Sequence, residues 1–228
     1  MTSVLFCLNV VLGLAGLIGV NVAMFSCLRR VTTLTVMLLQ YFLMHTIESY
    51  PVQGSIYLTV IGALVAGLGD LTFDLYSYVL IFLNCLVTAF YLVSIKLVQR
   101  HSPMTEYSLL YYISITALPV ASIFVILSGE LTTVIRSPHW TDLSFLSLFF
   151  LSGVQGLLIN YSIYLCTNVN SPLATSITGQ IKNVVTTFVG MIAFGDFVYT
   201  PLNAAGLSLG LLGSVLYSWL KLVESRSK

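Results

Sequence analysis

Residues 75–95 of this chain read LYSYVLIFLNCLVTAFYLVSI and contain no charged side chain. A helix needs about 20 mostly apolar residues to cross a bilayer, so this run is long enough for one crossing. The run is apolar throughout, whereas the strands of a membrane β-barrel alternate apolar and polar residues over about ten positions. This stretch therefore predicts a transmembrane α-helix.

Further apolar segments, bounded by charges or by Pro, Gly or Asn, occur on both sides of this run. They are residues 2–19, 22–44, 53–69, 107–129, 143–166, 171–194 and 199–220. The first boundary depends on a turn near Asn21, so seven spans are the alternative to eight. The predicted fold class is an all-α polytopic membrane protein of about eight transmembrane helices, with no soluble domain.

The composition leads to the same conclusion. Of the 228 residues, 57% are hydrophobic and 7% are charged, whereas about 25% of the residues in a soluble domain are charged. So few charges cannot cover a water-facing surface, which leaves the lipid bilayer as the main surrounding medium. The net charge of +1 predicts no nucleic-acid partner. The four cysteines lie in or beside spans without metal-ligand spacing, so no metal site is expected.

The basic residues predict an orientation. With eight spans, one side of the membrane receives Lys96, Arg100, Lys221, Arg226 and Lys228, and the other side receives only Arg136. Lys and Arg are enriched in short cytoplasmic loops, so both termini are predicted to be cytosolic.

Three cations fall inside predicted spans, namely Arg29 and Arg30 in the second and Lys182 in the seventh. A charge at a helix centre costs about 2.5–3.5 kcal/mol on insertion scales. The eight carboxylates map to loops, helix ends or the tail, so no internal acid pairs with these cations. We interpret them as ligands for the phosphates of a substrate. The alternative is that the arginines extend to the interface and that Lys182 donates to backbone carbonyls.

Helical spacing places further polar residues beside these cations. The residues that share a face are Thr175, Gly179, Lys182 and Thr186 on the seventh span, and Ser26, Arg30 and Thr33 on the second. The spans hold no carboxylate that could titrate, which argues against proton coupling. No Ser/His/Asp grouping is present, so neither catalytic residues nor an enzyme activity are predicted.

Two parts of the chain are weakly similar to each other. Residues 29–33 can be aligned with residues 182–186, and Gly62 and Gly69 with Gly206 and Gly213. Chance is one explanation. The other is a 5+5 inverted repeat, because an offset of five helices inverts the topology. Residues 1–69 would then be the remaining three helices of the first repeat, 75–220 the five-helix second repeat, and 221–228 a cytosolic tail.

Four segments resemble the nucleotide-sugar transporters of solute carrier family 35, subfamily D, in the drug/metabolite transporter superfamily. They are residues 23–30 (AMFSCLRR), 69–74 (GDLTFD), 109–112 (LLYY) and 165–183 (LCTNVNSPLATSITGQIKN). The resemblance implies a ten-helix fold that exchanges cytosolic nucleotide sugar for lumenal nucleoside monophosphate across Golgi or endoplasmic reticulum membranes. It implies that this chain begins near the third helix of the family. It also implies that Arg29 and Lys182 contact the substrate phosphates.

The resemblance also bears on the substrate. Similar GDP-mannose carriers have Gly-Ala-Leu-Asn-Lys where residues 179–183 read GQIKN, which favours a uridine nucleotide. Further predicted substrate contacts are Gly179, Asn183, Tyr111, Tyr112, Asn84 and Asn160. For the tyrosines, Asn84 and Asn160, interfacial anchoring or hydrogen bonding between helices is the alternative.

The expected function is therefore a UDP-sugar antiporter without a cofactor, whose partners are the nucleotide sugar, the monophosphate and the bilayer. A homo-oligomer is compatible with this hypothesis. One alternative is a truncated, non-transporting paralogue that regulates or assembles with a full-length transporter. Another is an exchanger of GDP-sugars or of phosphorylated metabolites such as triose phosphates.

Overall fold

The computed structural model describes residues 2–20, 22–68, 74–101, 104–179, 181–182 and 201–226. The helices are α1 (Thr2–Leu17), α2 (Val22–Leu28), α3 (Val31–Met44), α4 (Tyr50–Leu68), α5 (Leu75–His101), α6 (Glu106–Leu127), α7 (Glu130–Ile135), α8 (Leu143–Val169), α9 (residues 172–179) and α10 (Pro201–Arg226). A short 3-10 helix, Pro138–Thr141, precedes α8. Helices α4, α5, α6 and α8 are long and apolar enough to cross a membrane. The predicted all-α membrane fold class is confirmed.

The predicted second span, residues 22–44, consists of two helices rather than one. Helix α2 ends at Leu28 and α3 begins at Val31, with the arginine pair between them. The backbone N–H of Arg30 donates to Cys27 O and that of Thr33 to Arg30 O, both at 3.1 Å. This bonding to the third residue back is that of a 3-10 turn, which is tighter than an α-helix. Hydropathy does not detect the break because the flanking residues are apolar on both sides.

Glycines bring α4 and α10 into backbone contact. A Cβ atom on Gly62 would lie 2.5 Å from the backbone nitrogen of Gly210, and one on Gly206 would lie 2.3 Å from that of Ala66. Small residues at a helix interface permit such close approach. We call the contact of Gly62 and Ala66 with Gly206 and Gly210 the glycine seam. The seam joins Gly62 to Gly206, its partner in the proposed repeat.

Helix α1 packs along α5 through a second set of glycines. A Cβ atom on Gly13 would lie 3.4 Å from the side-chain nitrogen of Asn84, and one on Gly16 would lie 2.9 Å from Ile81 Cγ1. These glycines therefore serve close packing.

Three helices begin with side-chain caps that explain where they start. The capping bonds run from Ser77 N to Asp74 Oδ2 (3.0 Å), from Ser108 N to Thr105 Oγ1 (3.3 Å) and from Ser144 N to Asp142 Oδ1 (2.9 Å). Each cap satisfies a backbone donor that the first turn leaves unpaired. Hydrogen bonds from the hydroxyl and the amide of Ser77 hold the pKa of Asp74 below its ordinary value.

One end of the bundle carries the carboxyl ends of α3, α5, α8 and α10, and we call it the basic end. There Lys221 forms a salt bridge with Glu48 and lies 3.7 Å from Glu224. Lys96 donates to the carbonyls of Asn168 and Asn170, where a cation suits the negative end of the α8 dipole. Arg136 directly follows α7, on the connection between α6 and α8 at the opposite end.

Candidate functional site

A cavity of about 290 Å³ lies between α8 and α9. Its lining consists of Gln155, Leu158, Ile159, Ser162, Ile163 and Cys166 from α8, and of Thr175, Thr178, Gly179 and Lys182 from α9 and the residues after it. Three members of the predicted polar face, Thr175, Gly179 and Lys182, therefore line one cavity. Thr186 and Asn183 lie outside the described residues.

One hydrogen bond between α8 and α9 sets how the two helices lie alongside each other. The side-chain oxygens of Thr167 and Thr175 lie 2.9 Å apart. At the start of α9, the backbone N–H of Ala174 donates to the hydroxyl of Ser171 at 3.1 Å. Helix α9 therefore turns back along α8 from the basic end. Lys182 follows Thr175 by two helical turns, which is about 10 Å of rise. Lys182 therefore lies well away from the basic end, and its exposed side chain lines the cavity.

Arg29 is the second cation of the candidate site. Its side chain is partly buried, and Cζ lies 5.6 Å from the centroid of the Phe25 ring. Arg29 and Lys182 both carry a positive charge. Two cations that approach each other in a medium of low dielectric repel, and an anion between them would relieve this repulsion. The cations come from residues 1–69 and 75–220, the two proposed repeats.

Arg30 lies apart from the Lys182 cavity and is 3% exposed. Its Nη1 donates to Leu207 O at 3.2 Å, and a Cβ atom on Gly210 would meet Nη1 at 1.7 Å. The guanidinium therefore occupies the space above Gly210 and joins the start of α3 to α10. Successive residues of a 3-10 turn point about 120° apart, which separates Arg29 from Arg30. The one feature of the sequence that relates to this contact is the glycine at position 210, which leaves room for the guanidinium.

The predicted amide and tyrosine contacts also lie away from the Lys182 cavity as the structure describes it. Asn84 is fully buried, and its Nδ2 donates to Asn9 O at 2.6 Å and to Asn9 Oδ1 at 3.0 Å. Asn160 Nδ2 donates to Gly156 O of its own helix at 2.9 Å. The remaining candidates are exposed on α6, namely Tyr111 and Tyr112. These positions favour hydrogen bonding between helices as the role of Asn84. They favour a lipid-facing role for the two tyrosines.

Sequence reasoning missed three polar residues of the cavity, Gln155, Ser162 and Thr178. Gln155 and Ser162 lie two helical turns apart on α8 and share a face. That spacing was visible in the sequence. Which face of α8 meets α9 was not.

Comparison with known proteins shows the family. Residues 1–218 match the model of the Triose-phosphate Transporter family. A putative UDP-sugar transporter of Dictyostelium discoideum is 38% identical over 222 residues, which are 97% of this chain and 58% of that protein. The UDP-N-acetylglucosamine transporter UGNT1 of Arabidopsis thaliana is 31% identical over 221 residues, which are 97% of this chain and 64% of that protein.

A third relative is the nucleotide sugar transporter SLC35D2 of Mus musculus. It is 33% identical over 214 residues, which are 94% of this chain and 66% of that protein. The resemblance to subfamily D of solute carrier family 35 is thereby confirmed. The chain spans about three fifths of the length of the first two relatives and about two thirds of this one. It belongs to the Triose-phosphate Transporter family, a family of transporters rather than of enzymes.

Proposed function

We propose that this protein is a nucleotide-sugar antiporter that binds the phosphates of a UDP-sugar between Arg29 and Lys182. The observation that carries the proposal is that Lys182 lines a cavity between α8 and α9 together with Thr175 and Gly179. Guanidinium binds phosphate through two parallel hydrogen bonds, and an ammonium group binds it as a point charge. A diphosphate is long enough for both groups to bind it at once.

Exchange follows from the chemistry of the two ligands. A UDP-sugar and UMP share the uridine and a phosphate. Both would therefore bind the same cations while crossing the membrane in opposite directions. The two repeats would rock around this site. The UDP-sugars in the names of two relatives, and the GQIKN segment at residues 179–183, support a uridine nucleotide. We place the protein in a Golgi or endoplasmic reticulum membrane, with the basic end and the C-terminus in the cytosol.

The test is uptake by purified protein in liposomes preloaded with UMP. We expect uptake of labelled UDP-glucose, UDP-galactose or UDP-N-acetylglucosamine to depend on internal UMP. Lys182→Ala should lower this uptake at least tenfold, because a charge-assisted hydrogen bond is lost. Arg136→Ala removes a positive charge from an exposed position on the α7 side and should transport like the wild type.

Normal uptake by Lys182→Ala would refute the assigned phosphate site. Binding of UMP without exchange would contradict antiport and would instead support a non-transporting partner of a longer relative. Uptake of GDP-mannose in preference to every UDP-sugar would refute the uridine assignment.

Asn84→Leu should lower the melting temperature in detergent and leave UMP affinity unchanged. The variant removes two hydrogen bonds to Asn9 on α1, and an interhelical bond in a membrane protein contributes about 0.6–2 kcal/mol. Asn160→Leu removes a bond within one helix and should change the melting temperature less. Weakened UMP binding by Asn84→Leu at an unchanged melting temperature would show that Asn84 is a ligand after all.

A further inference from the structure

Gln155 places an uncharged polar group near the middle of α8, which runs over 27 residues from Leu143 to Val169. A carboxamide at that depth in lipid is costly unless it is hydrogen-bonded. The side chain of Gln155 makes no hydrogen bond with any residue that the structure describes, and it lines the same cavity as Lys182. The amide is therefore available to a molecule in the cavity.

The position of Gln155 along the cavity follows from the antiparallel run of α8 and α9. Thr167 lies beside Thr175, so Lys182 is level with the part of α8 two turns before Thr167. Gln155 lies more than one turn further from the basic end, about 7 Å along the axis. Ser162 lies on the other side of Lys182 along the axis, nearer to the basic end. The cavity thus places a cation between two uncharged polar groups.

The chemistry of the lining indicates what Gln155 would bind. A carboxamide donates and accepts hydrogen bonds, and each sugar hydroxyl does the same. No aromatic side chain is among the described residues that line this cavity, so they offer no surface on which a nucleobase could stack. Polar groups without a stacking surface suit a sugar better than a base.

We propose that Gln155 forms a sugar subsite, in which its amide binds a hydroxyl group of the hexose beyond the phosphates held by Lys182. This subsite rests on the proposed function. Gln155 then determines how strongly the protein prefers a nucleotide sugar over the nucleoside monophosphate, because UMP lacks the hexose that this subsite would bind.

The test compares two ligands on one variant. We expect Gln155→Leu to weaken the binding of UDP-glucose, measured as competition against labelled UMP, by about five- to tenfold, because one hydrogen bond is lost. The affinity for UMP should stay within about twofold of the wild type. Ser152→Leu is the control: Ser152 is also exposed on α8, bonds to Phe149 O of its own helix and lies outside the cavity lining. It should change neither affinity.

The ratio of the two affinities is the decisive quantity, because a general folding defect lowers both. Equal weakening of UMP and UDP-glucose in Gln155→Leu would overturn the sugar subsite, and so would an unchanged affinity for both. If the wild type binds neither nucleotide, the proposed function fails and the subsite fails with it. If the wild type binds both and Gln155→Leu behaves like it, only the subsite fails.

Discussion

Gly206→Ala is expected to destabilise the fold strongly, whereas Gly153→Ala should leave it unchanged or slightly more stable. The new Cβ atom at position 206 would lie 2.3 Å from the nitrogen of Ala66 and 2.6 Å from the carbonyl oxygen of Gly62. These are backbone atoms of α4 and cannot rotate away. The two helices must separate, at a cost of about 1–3 kcal/mol or more.

Gly153 is a matched control because it also lies in a helix and a Cβ atom there would meet nothing within 4 Å. Alanine is the better helix former by about 0.5–1 kcal/mol, and that gain applies at both positions. A difference in stability between the two variants therefore measures the effect of the close contact at the glycine seam. The measurement is the melting temperature in detergent, followed by size-exclusion chromatography. Equal melting temperatures would show that α4 and α10 do not pack through these glycines.

Arg29→Ala and Arg30→Ala should affect different properties although the residues are adjacent: ligand affinity in the first and stability in the second. Arg29→Ala should weaken the binding of UMP and UDP-glucose at least tenfold, because a charged donor to phosphate is lost, and it should lower the melting temperature less than Arg30→Ala does. Arg30→Ala should lower the melting temperature. It removes the hydrogen bond from Arg30 Nη1 to Leu207 O, and a hydrogen bond from a charged group contributes about 1.5–3 kcal/mol.

Gly210 supplies an independent check on the position of Arg30. The three atoms nearest to a Cβ built on Gly210 all belong to Arg30, the closest at 1.7 Å. Gly210→Ala should therefore destabilise the wild type, and it should do so far less when Arg30 is already alanine. Such non-additivity is the signature of a direct contact. Additive effects, or a loss of ligand affinity in Arg30→Ala without loss of stability, would place Arg30 at the ligand instead.

Local features of the chain were enough to predict much of the fold. The apolar run at residues 75–95 lies within α5, and the cap at Asp74 marks the start of that helix. Both depend on neighbouring residues and on the bilayer as solvent. The tightened turn at Arg29 and Arg30 was not predicted, because hydropathy averages over a window longer than one turn.

The candidate site was predictable only in part. Helical spacing correctly placed Thr175, Gly179 and Lys182 on one face, because that geometry lies within a single helix. Helical spacing could not show that Arg30 contacts α10 or that Asn84 contacts α1. Nor could it show that Gln155 lines the cavity. Each of these depends on which helix lies alongside, and residues far apart in the chain determine that.

By itself, then, the sequence determined that this is a helical membrane protein with cations in its apolar segments, because a bilayer accepts few other arrangements of so apolar a chain. Only the tertiary structure decided which cation meets the cavity and which secures the glycine seam. The physical reason is that the cost of burying a charge depends on the surrounding medium, whereas the partner that offsets this cost depends on long-range packing. Arg29 and Arg30 have equal hydropathy, but they contact different neighbours: Arg29 lies over the Phe25 ring, and Arg30 donates to Leu207 O.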